Sequence, residues 1–140
     1  MKIKKITLKD KKDFDKFDKS EWEIFNKENN YKWKDKKISF VALDNKKIIG
    51  ILRLKINGGA TYIEDIIVKK NFRKNGVGFS LIQTAEAVSK ENKCHVIYLQ
   101  TTEKHKSAIK FYKKMKFKKV ATLKKNKNNF DCYFFEKRLK

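Results

Sequence analysis

The sequence of 140 residues contains no proline, few glycines and only two cysteines. Two cysteines, Cys94 and Cys132, cannot build a disulfide framework, so we expect reduced thiols buried in a core. Cys94 adjoins His95, but no second close pair of ligands, including one around His105, completes a metal-binding set. The sequence therefore predicts no metal site. We draw no functional conclusion from the absence of proline.

Long apolar runs are also missing. No segment approaches the roughly 18 apolar residues of a membrane-spanning helix, and the basic start is not followed by the apolar stretch of a secretory signal. These absences predict a soluble, cytoplasmic protein without a membrane partner.

Arginine is scarce in a chain with a formal net charge of +21, because only three of its 37 basic residues are arginines. Lysine occurs in every segment, whereas proteins that read nucleic acids favour arginine at base edges and phosphates. We therefore interpret the lysines as compositional bias and treat nucleic acid as the less favoured partner. The charge should still attract polyanionic small ligands.

The length fits one compact domain, and no linker divides the chain, so the sequence predicts a single domain over residues 1–140. An apolar fraction of 40% is sufficient for a core. Alternating and helical apolar patterns then predict the order β-α-α-β-β-β-α-β-α-β-β. The predicted strands cover residues 3–8, 38–43, 47–56, 60–69, 95–100, 117–123 and 130–139. The predicted helices cover residues 11–28, as one or two helices, then 76–91, and a segment capped by Thr101 or Thr102 that ends near residue 114.

The most informative stretch is residues 62–81, where an apolar strand leads through a basic turn into an amphipathic helix. Gly76 and Gly78 allow the backbone to approach a bound group, and the first free N–H groups of the helix point at it. Arg73 and Lys74 add full positive charges. This order predicts a cradle for an anion such as a phosphate.

The pattern Arg73-x-x-Gly76-x-Gly78 resembles the pyrophosphate loop of the GNAT (GCN5-related N-acetyltransferase) family. The segment from Ala108 through Tyr112 to Phe117 resembles the later signature of the same family, and two motifs together are more specific than one. The resemblance implies an α/β (α+β) fold with a mixed sheet of about six to seven strands and about four helices. The sheet is expected to split between the fourth and fifth strands, here residues 62–68 and 95–100.

The resemblance also implies a site and a reaction. Acetyl-CoA is the expected cosubstrate, and a primary amine attacks its thioester directly through a tetrahedral intermediate. Tyr112 is the implied general acid for the departing thiolate. The coenzyme is expected to lie against the backbone of the strand end and of the glycine turn, with a side-chain contact from the helix before Tyr112: Ile66, Ile67, Val68, Arg73, Lys74, Asn75, Gly76, Val77, Gly78 and His105.

Several alternatives remain open at this stage. Glu64, which on a regular strand shares a face with Tyr62, Ile66 and Val68, is one candidate base, and a chain of waters is the other. The acceptor is a small molecule or a protein, with amino-sugar phosphates and polyamines among the options. Four aromatic residues either line the acceptor pocket or roof the sheet: Trp22, Phe25, Tyr31 and Trp33. A homodimer is possible by resemblance, and the alternative function is a basic nucleic-acid or ribosome-associated module.

The motifs depart from the family pattern at two positions. His105 stands where asparagine is usual, and Lys116 replaces the glycine before Phe117. The turn after the last helix must therefore differ or accept a non-glycine residue.

Overall fold

The computed structural model describes all residues, Met1–Lys140, in two compact units, Met1–Trp33 and Lys34–Lys140. The prediction of one domain stays a prediction. The helices are α1 (Lys11–Glu28), α2 (Val77–Glu91) and α3 (Lys106–Lys114), and the strands are β1 (Lys36–Asp44), β2 (Lys47–Asn57), β3 (Ala60–Val68), β4 (Val96–Thr102), β5 (Lys118–Lys127) and β6 (Phe130–Arg138). None of the helices has the length and apolarity needed to span a membrane.

The first unit contains α1 and no strand, so the strand predicted over residues 3–8 is wrong. The backbone N–H and hydroxyl of Thr7 both bond to the Asp10 carboxylate, at 2.8 and 3.0 Å, and draw the chain into a short 3₁₀ turn, Leu8–Asp10. Residues 11–28 form one continuous helix, inside which the hydroxyl of Ser20 bonds to the carbonyl of Phe17 at 3.1 Å. The chain therefore has six strands and three α-helices.

The second unit is a six-stranded sheet in the order β1-β2-β3-β4-β6-β5. Strands β1 to β3 form the predicted antiparallel meander, β4 runs parallel to β3, and β6 lies inside the sheet between β4 and β5. The mixed, split sheet of the prediction is confirmed. Gly50 of β2 borders a bulge, and a Cβ there would lie 3.2 Å from the carbonyl oxygen of Ile67.

The core lies between one face of the sheet and helices α2 and α3. Leu52, Leu54 and Ile63 of the sheet pack with Leu81 and Ile82 of α2 in this cluster. Aromatic residues fill the part near α3, where Tyr112, Phe117 and Phe135 are in contact. Burial of such side chains contributes about 1.5–3 kcal/mol each, so this layer fixes the helices on the sheet.

Two residues after the end of each of the last two helices lies a lysine in the left-handed conformation, Lys93 (φ 56°) after α2 and Lys116 (φ 73°) after α3. At the end of α3, Lys116 N–H bonds to Lys113 O and Phe117 N–H bonds to Tyr112 O, as in a Schellman motif. The turn after α3 therefore keeps its geometry without glycine. The capping prediction for α3 is wrong, because Thr101 and Thr102 belong to β4 and the N-cap is His105.

Candidate active site

Strands β3 and β4 pair at one end and separate at the other. Their parallel ladder contains three residue pairs, from Ala60 opposite Val96 to Tyr62 opposite Tyr98. Beyond Tyr62, β3 continues to Val68 without pairing to β4. The predicted split of the sheet therefore begins at Tyr62 and leaves a gap between the two strands.

A β-bulge lies where the gap begins. Arg53 of β2 pairs with Asp65 and the next residue, Leu54, pairs with Ile63, so Glu64 is the extra residue. Ile63 and Ile66 both pack on the core, whereas Glu64 and Asp65 are both exposed. The expectation that Glu64 shares a face with Ile66 and Val68 is wrong, because the bulge shifts the alternation by one residue.

The backbone groups at the end of β3 alternate between β2 and the gap. Lys69 N–H bonds to Ile49 O at 2.8 Å, so Lys69 faces β2. Alternation in an antiparallel ladder then turns Ile67 toward β2 and directs the N–H and C=O groups of Ile66 and Val68 into the gap. Of the three backbone sites predicted to bind a coenzyme, two are free to do so, and Ile67 is paired within the sheet.

The turn after β3 connects the gap to α2. Arg73 Nε donates to Val68 O at 2.8 Å, which fastens the turn to the strand end and leaves the two Nη groups free. Lys74 (φ 64°) and Gly76 (φ 83°) are left-handed, and Gly76 is the N-cap of α2. Residues 73–76 are exposed. The turn thus presents unpaired N–H groups and positive charge at one site.

The two glycines of this turn have different roles. A Cβ at Gly76 would meet no atom within 4 Å, so its requirement is conformational. A Cβ at Gly78 would lie 3.2 Å from the Phe111 ring, so its requirement is the close approach of α3 to the start of α2. Val77 and Gly78 are the first residues of α2 with free N–H groups. Asn75 completes the exposed turn.

Tyr112 of α3 is a buried residue with an accessible hydroxyl. The residue is 8% exposed and its ring packs on Phe111, Phe117 and Phe135. Every buried side-chain nitrogen or oxygen has a hydrogen-bond partner, and the Tyr112 hydroxyl bonds to no protein atom, so it must reach the surface. A tyrosine retained only for packing usually has its hydroxyl bonded. Burial raises the pKa of Tyr112, which keeps the phenol protonated.

His105 lies at the start of α3, and its Nδ1 is 3.1 Å from the buried hydroxyl of Thr101 in β4. This contact fixes the ring and leaves Nε2 as the only nitrogen free for a ligand. The structure therefore connects His105 to β4, the second strand of the gap. No group of three or more potential metal-ligating side chains occurs in the chain.

Two residues near the gap were not singled out by sequence reasoning. Tyr98 stacks on Tyr62 at 4.9 Å between ring centroids, where the two strands separate. Burial raises the pKa of Tyr62, and the neighbouring Tyr98 and Glu64 add to that effect. Phe111 packs against Gly78. The in-register alternation of β3 and β4 was the available signal for the tyrosine pair.

Trp22 and Phe25, discussed above for the acceptor pocket, are exposed in the first unit.

A split sheet with a glycine-capped helix at the end of its gap defines a mixed α/β protein suited to an extended ligand with an anionic group. The model of the acetyltransferase (GNAT) family matches residues 6–117. The chain therefore belongs to the GNAT acetyltransferase family.

Comparison with known proteins gives the same fold. Streptothricin acetyltransferase A of Bacillus subtilis (strain 168) is 37% identical over 82 residues, which cover 58% of this chain and 47% of the relative. The matched region spans about half the length of the curated relatives. The crystal structure of an acetyltransferase from Bacillus cereus ATCC 14579 superimposes with a TM-score of 0.80 at 23% identity, covering 99% of this chain and 98% of that one. The acetyl coenzyme A complex of a protein assigned as a streptothricin acetyltransferase, from Bacillus anthracis str. Ames, has a TM-score of 0.71 and 32% identity, covering 74% of this chain and 64% of that one.

Proposed function

We propose that this protein transfers the acetyl group of acetyl-CoA to a primary amine. The observation that carries the proposal is the gap between β3 and β4, with the free N–H and C=O groups of Ile66 and the free N–H of Val68 on one side and the glycine turn at its end. The 32% identical neighbour that was crystallised with acetyl coenzyme A supports the choice of cosubstrate.

Binding would use backbone atoms for the arm of the coenzyme and charge for its phosphates. An extended arm with amide groups pairs with Ile66 and Val68 as an added strand would. The pyrophosphate lies against the N–H groups that follow Gly76, where the start of α2 favours negative charge. The free Nη groups of Arg73 and the ammonium of Lys74 supply the charge-assisted contacts.

The transfer needs one bond formed and one broken. The amine nitrogen attacks the thioester carbonyl carbon, and a backbone N–H in the gap stabilises the negative charge that develops on the oxygen. When the carbon–sulfur bond breaks, the electron pair leaves with the sulfur, and the Tyr112 hydroxyl donates a proton to the thiolate. The new amide nitrogen releases its extra proton to solvent, and the Tyr112 phenolate takes up a proton from solvent, which restores the phenol. A phenol with a raised pKa remains in the donor form at neutral pH.

The amine must first lose a proton, because an alkyl ammonium has a pKa near 10. Glu64 fits this role better than Asp65. Asp65 is bonded to Arg53 at 3.2 Å, while Glu64 is exposed at the bulge and forms no ion pair. We propose Glu64 as the group that receives the proton, directly or through water.

Binding and turnover can be tested separately. Titration calorimetry with acetyl-CoA is expected to show a single site, and release of free CoA is expected only when an amine is added. The acceptor panel comprises polyamines, amino sugars and their phosphates, and lysine peptides. Failure to bind acetyl-CoA would rule out the proposed function. Binding of acetyl-CoA without turnover on any acceptor of the panel would support the coenzyme site and contradict the transfer to these amines.

A further inference from the structure

The lysines are not distributed as evenly as the net charge implies. Residues 104–127 contain eleven lysines and no aspartate or glutamate. All eleven are exposed, and none forms an ion pair, since every salt bridge of the protein involves other residues. In contrast, α1 mixes lysines with acidic residues and contains the Lys11–Asp15 pair. Lysine makes up eleven of these 24 residues against 34 of the 140 in the whole chain, so the segment exceeds the general lysine bias of the sequence.

These lysines lie on α3, on β5 and in the turns beside them, a segment which we call the lysine edge: Lys104, Lys106, Lys110, Lys113, Lys114, Lys116, Lys118, Lys119, Lys124, Lys125 and Lys127. Helix α3 runs directly into β5 through the turn at Lys116, and β5 is an edge strand, paired only with β6. Every residue of β5 is exposed. Neither carboxylate of the neighbouring β6 forms an ion pair with these lysines, because Glu136 bonds to Arg138 and Asp131 accepts a hydrogen bond from the backbone N–H of Lys125 at 3.0 Å.

Structural needs account for only part of this charge. One or two lysines are sufficient to protect an edge strand from pairing with another chain. Lys104 and Lys119 also lie over the rings of Phe130 and Tyr133, at 4.7 and 4.3 Å. The other nine have no partner in the protein, and like charges at this density oppose folding.

We propose that the lysine edge binds a nucleic-acid duplex through its phosphates, without reading the bases. Lysine contacts phosphate as a point charge, and the arginines used for bidentate base recognition are absent from residues 104–127. Single strands are less suited, because they need exposed aromatic rings for stacking, and Phe111, Tyr112 and Phe117 are wholly or partly buried. An anionic membrane is less suited, because the apolar face of α3 lies in the core.

The dimensions fit a duplex. Because β5 is irregular, with Lys125 at a φ of 45°, its residues lie opposite only Phe130–Glu136 of β6, and the strand extends about 23 Å at ~3.3 Å per paired residue, roughly seven base pairs at ~3.4 Å each. Several phosphates of each strand lie within that length. Duplex binding does not depend on the proposed acetyl transfer, and either function can fail without the other.

The test compares two variants of the full-length protein with equal net charge. The edge variant carries Lys113→Gln, Lys118→Gln, Lys124→Gln and Lys127→Gln. The matched control carries Lys37→Gln, Lys46→Gln, Lys47→Gln and Lys90→Gln, which are exposed lysines without ion pairs elsewhere in the second unit. Thermal unfolding confirms that each variant is folded. Fluorescence anisotropy with labelled DNA and RNA duplexes of about 24 base pairs is recorded from about 50 to about 200 mM salt.

The wild type is expected to bind the duplexes with a strong salt dependence. The edge variant should lose more than about tenfold in affinity near 100 mM salt, and its log–log salt slope should fall by roughly 3–4, because each phosphate contact contributes about 0.9. The control should lose less than about threefold. Equal losses in the two variants, absence of duplex binding, or tighter binding to a single strand, an anionic vesicle or an acidic peptide would overturn the proposal.

Discussion

The two ends of the β3–β4 pair differ in every respect that matters for the proposed function. At the paired end, three ladder pairs, the Tyr62–Tyr98 stack and a buried Thr61–Ser89 hydrogen bond of 2.7 Å hold strand, strand and helix together. At the separated end, the N–H and C=O groups of Ile66 and the N–H of Val68 have no partner, and the glycine turn follows in place of further pairing to β4. One strand thus supports the fold at its start and offers a binding surface at its end.

The bulge at Glu64 explains how one strand serves both purposes. An extra residue bends a strand and increases its twist. The parallel pairing ends at Tyr62, two residues before the bulge, and the unpaired segment follows it. The comparison predicts that changes at the separated end reduce turnover, while changes at the paired end reduce stability.

The largest effect is expected for Tyr112→Phe, which removes the hydroxyl and keeps the buried ring. We expect kcat to fall on the order of tenfold to a thousandfold, with the Kd for acetyl-CoA nearly unchanged, because the proton is needed only when the thiolate leaves. Stopped-flow CoA release and calorimetry provide the two values. An unchanged kcat would remove Tyr112 from the mechanism.

The pKa of Tyr112 gives this prediction a pH signature. Burial raises the pKa above its ordinary value, so the donor form persists through neutral pH and is lost only as the pH rises through the raised pKa. The wild-type kcat should therefore show no falling limb below about pH 10. A fall that begins near pH 8 would assign the donor to another group.

Glu64→Gln is expected to lower kcat/KM about tenfold to a hundredfold at pH 7, because the amide cannot accept the proton of the ammonium. The loss in kcat/KM should become smaller as the pH approaches the pKa of the acceptor ammonium, because the amine is then already deprotonated. Asp65→Asn is the matched control, since Asp65 is already bonded to Arg53 and should affect turnover less. Equal rates in wild type and Glu64→Gln would favour a chain of waters as the base.

At the paired end, Ser89→Ala is expected to lower the free energy of unfolding by about 1–3 kcal/mol. The Ser89 hydroxyl donates to Ala85 O at 2.6 Å, so Thr61 must be the donor in the Thr61–Ser89 bond. Its hydroxyl is fully buried and would lose its partner. Urea unfolding measures the loss, and kcat per folded molecule should stay the same.

The double variant Thr61→Val/Ser89→Ala sharpens this result. Removing both hydroxyls leaves no unsatisfied donor, so the double loss should be smaller than the sum of the two single losses. Additive losses would show that the bond is unimportant for the stability of the paired end.

The smallest effect is expected outside both ends, for Lys116→Gly. The left-handed φ of 73° is unfavourable for lysine and free for glycine, although glycine has more freedom in the unfolded chain. We expect a net gain of about 0.5–1 kcal/mol, seen as a rise of a few degrees in Tm without a change in kcat. A lower Tm would mean that the lysine side chain stabilises the turn.

Apolar alternation and turn residues were sufficient to predict the six strands of the sheet, because they determine those elements locally. The split between β3 and β4 was predicted from the family resemblance alone. The sequence predicted a strand over residues 3–8 because apolar residues alternate there, although the Thr7–Asp10 bonds favour a turn. Such side-chain bonds are not visible in an apolar pattern.

The sequence was sufficient to identify the motifs of the candidate site, but not to predict which way the groups of β3 point. Arg73, Gly76, Gly78 and Tyr112 follow from the family motifs. The bulge at Glu64 did not, because a one-residue shift depends on pairing with Arg53 of β2 and leaves no local signature. For the same reason the sequence could not show that the backbone of Ile67 pairs with β2 while the backbones of its two neighbours face the gap.

The bond from Arg73 to Val68 determines when the glycine turn loses its conformational freedom. Ordering a residue costs about 1–2 kcal/mol of conformational entropy. Because the bond orders the turn when the protein folds, this cost does not oppose ligand binding later. A ligand would then meet a turn that is already shaped, and its association rate would reflect diffusion and charge more than rearrangement. The same bond occupies the carbonyl of Val68, so the last rung of any added strand must use the N–H of that residue alone.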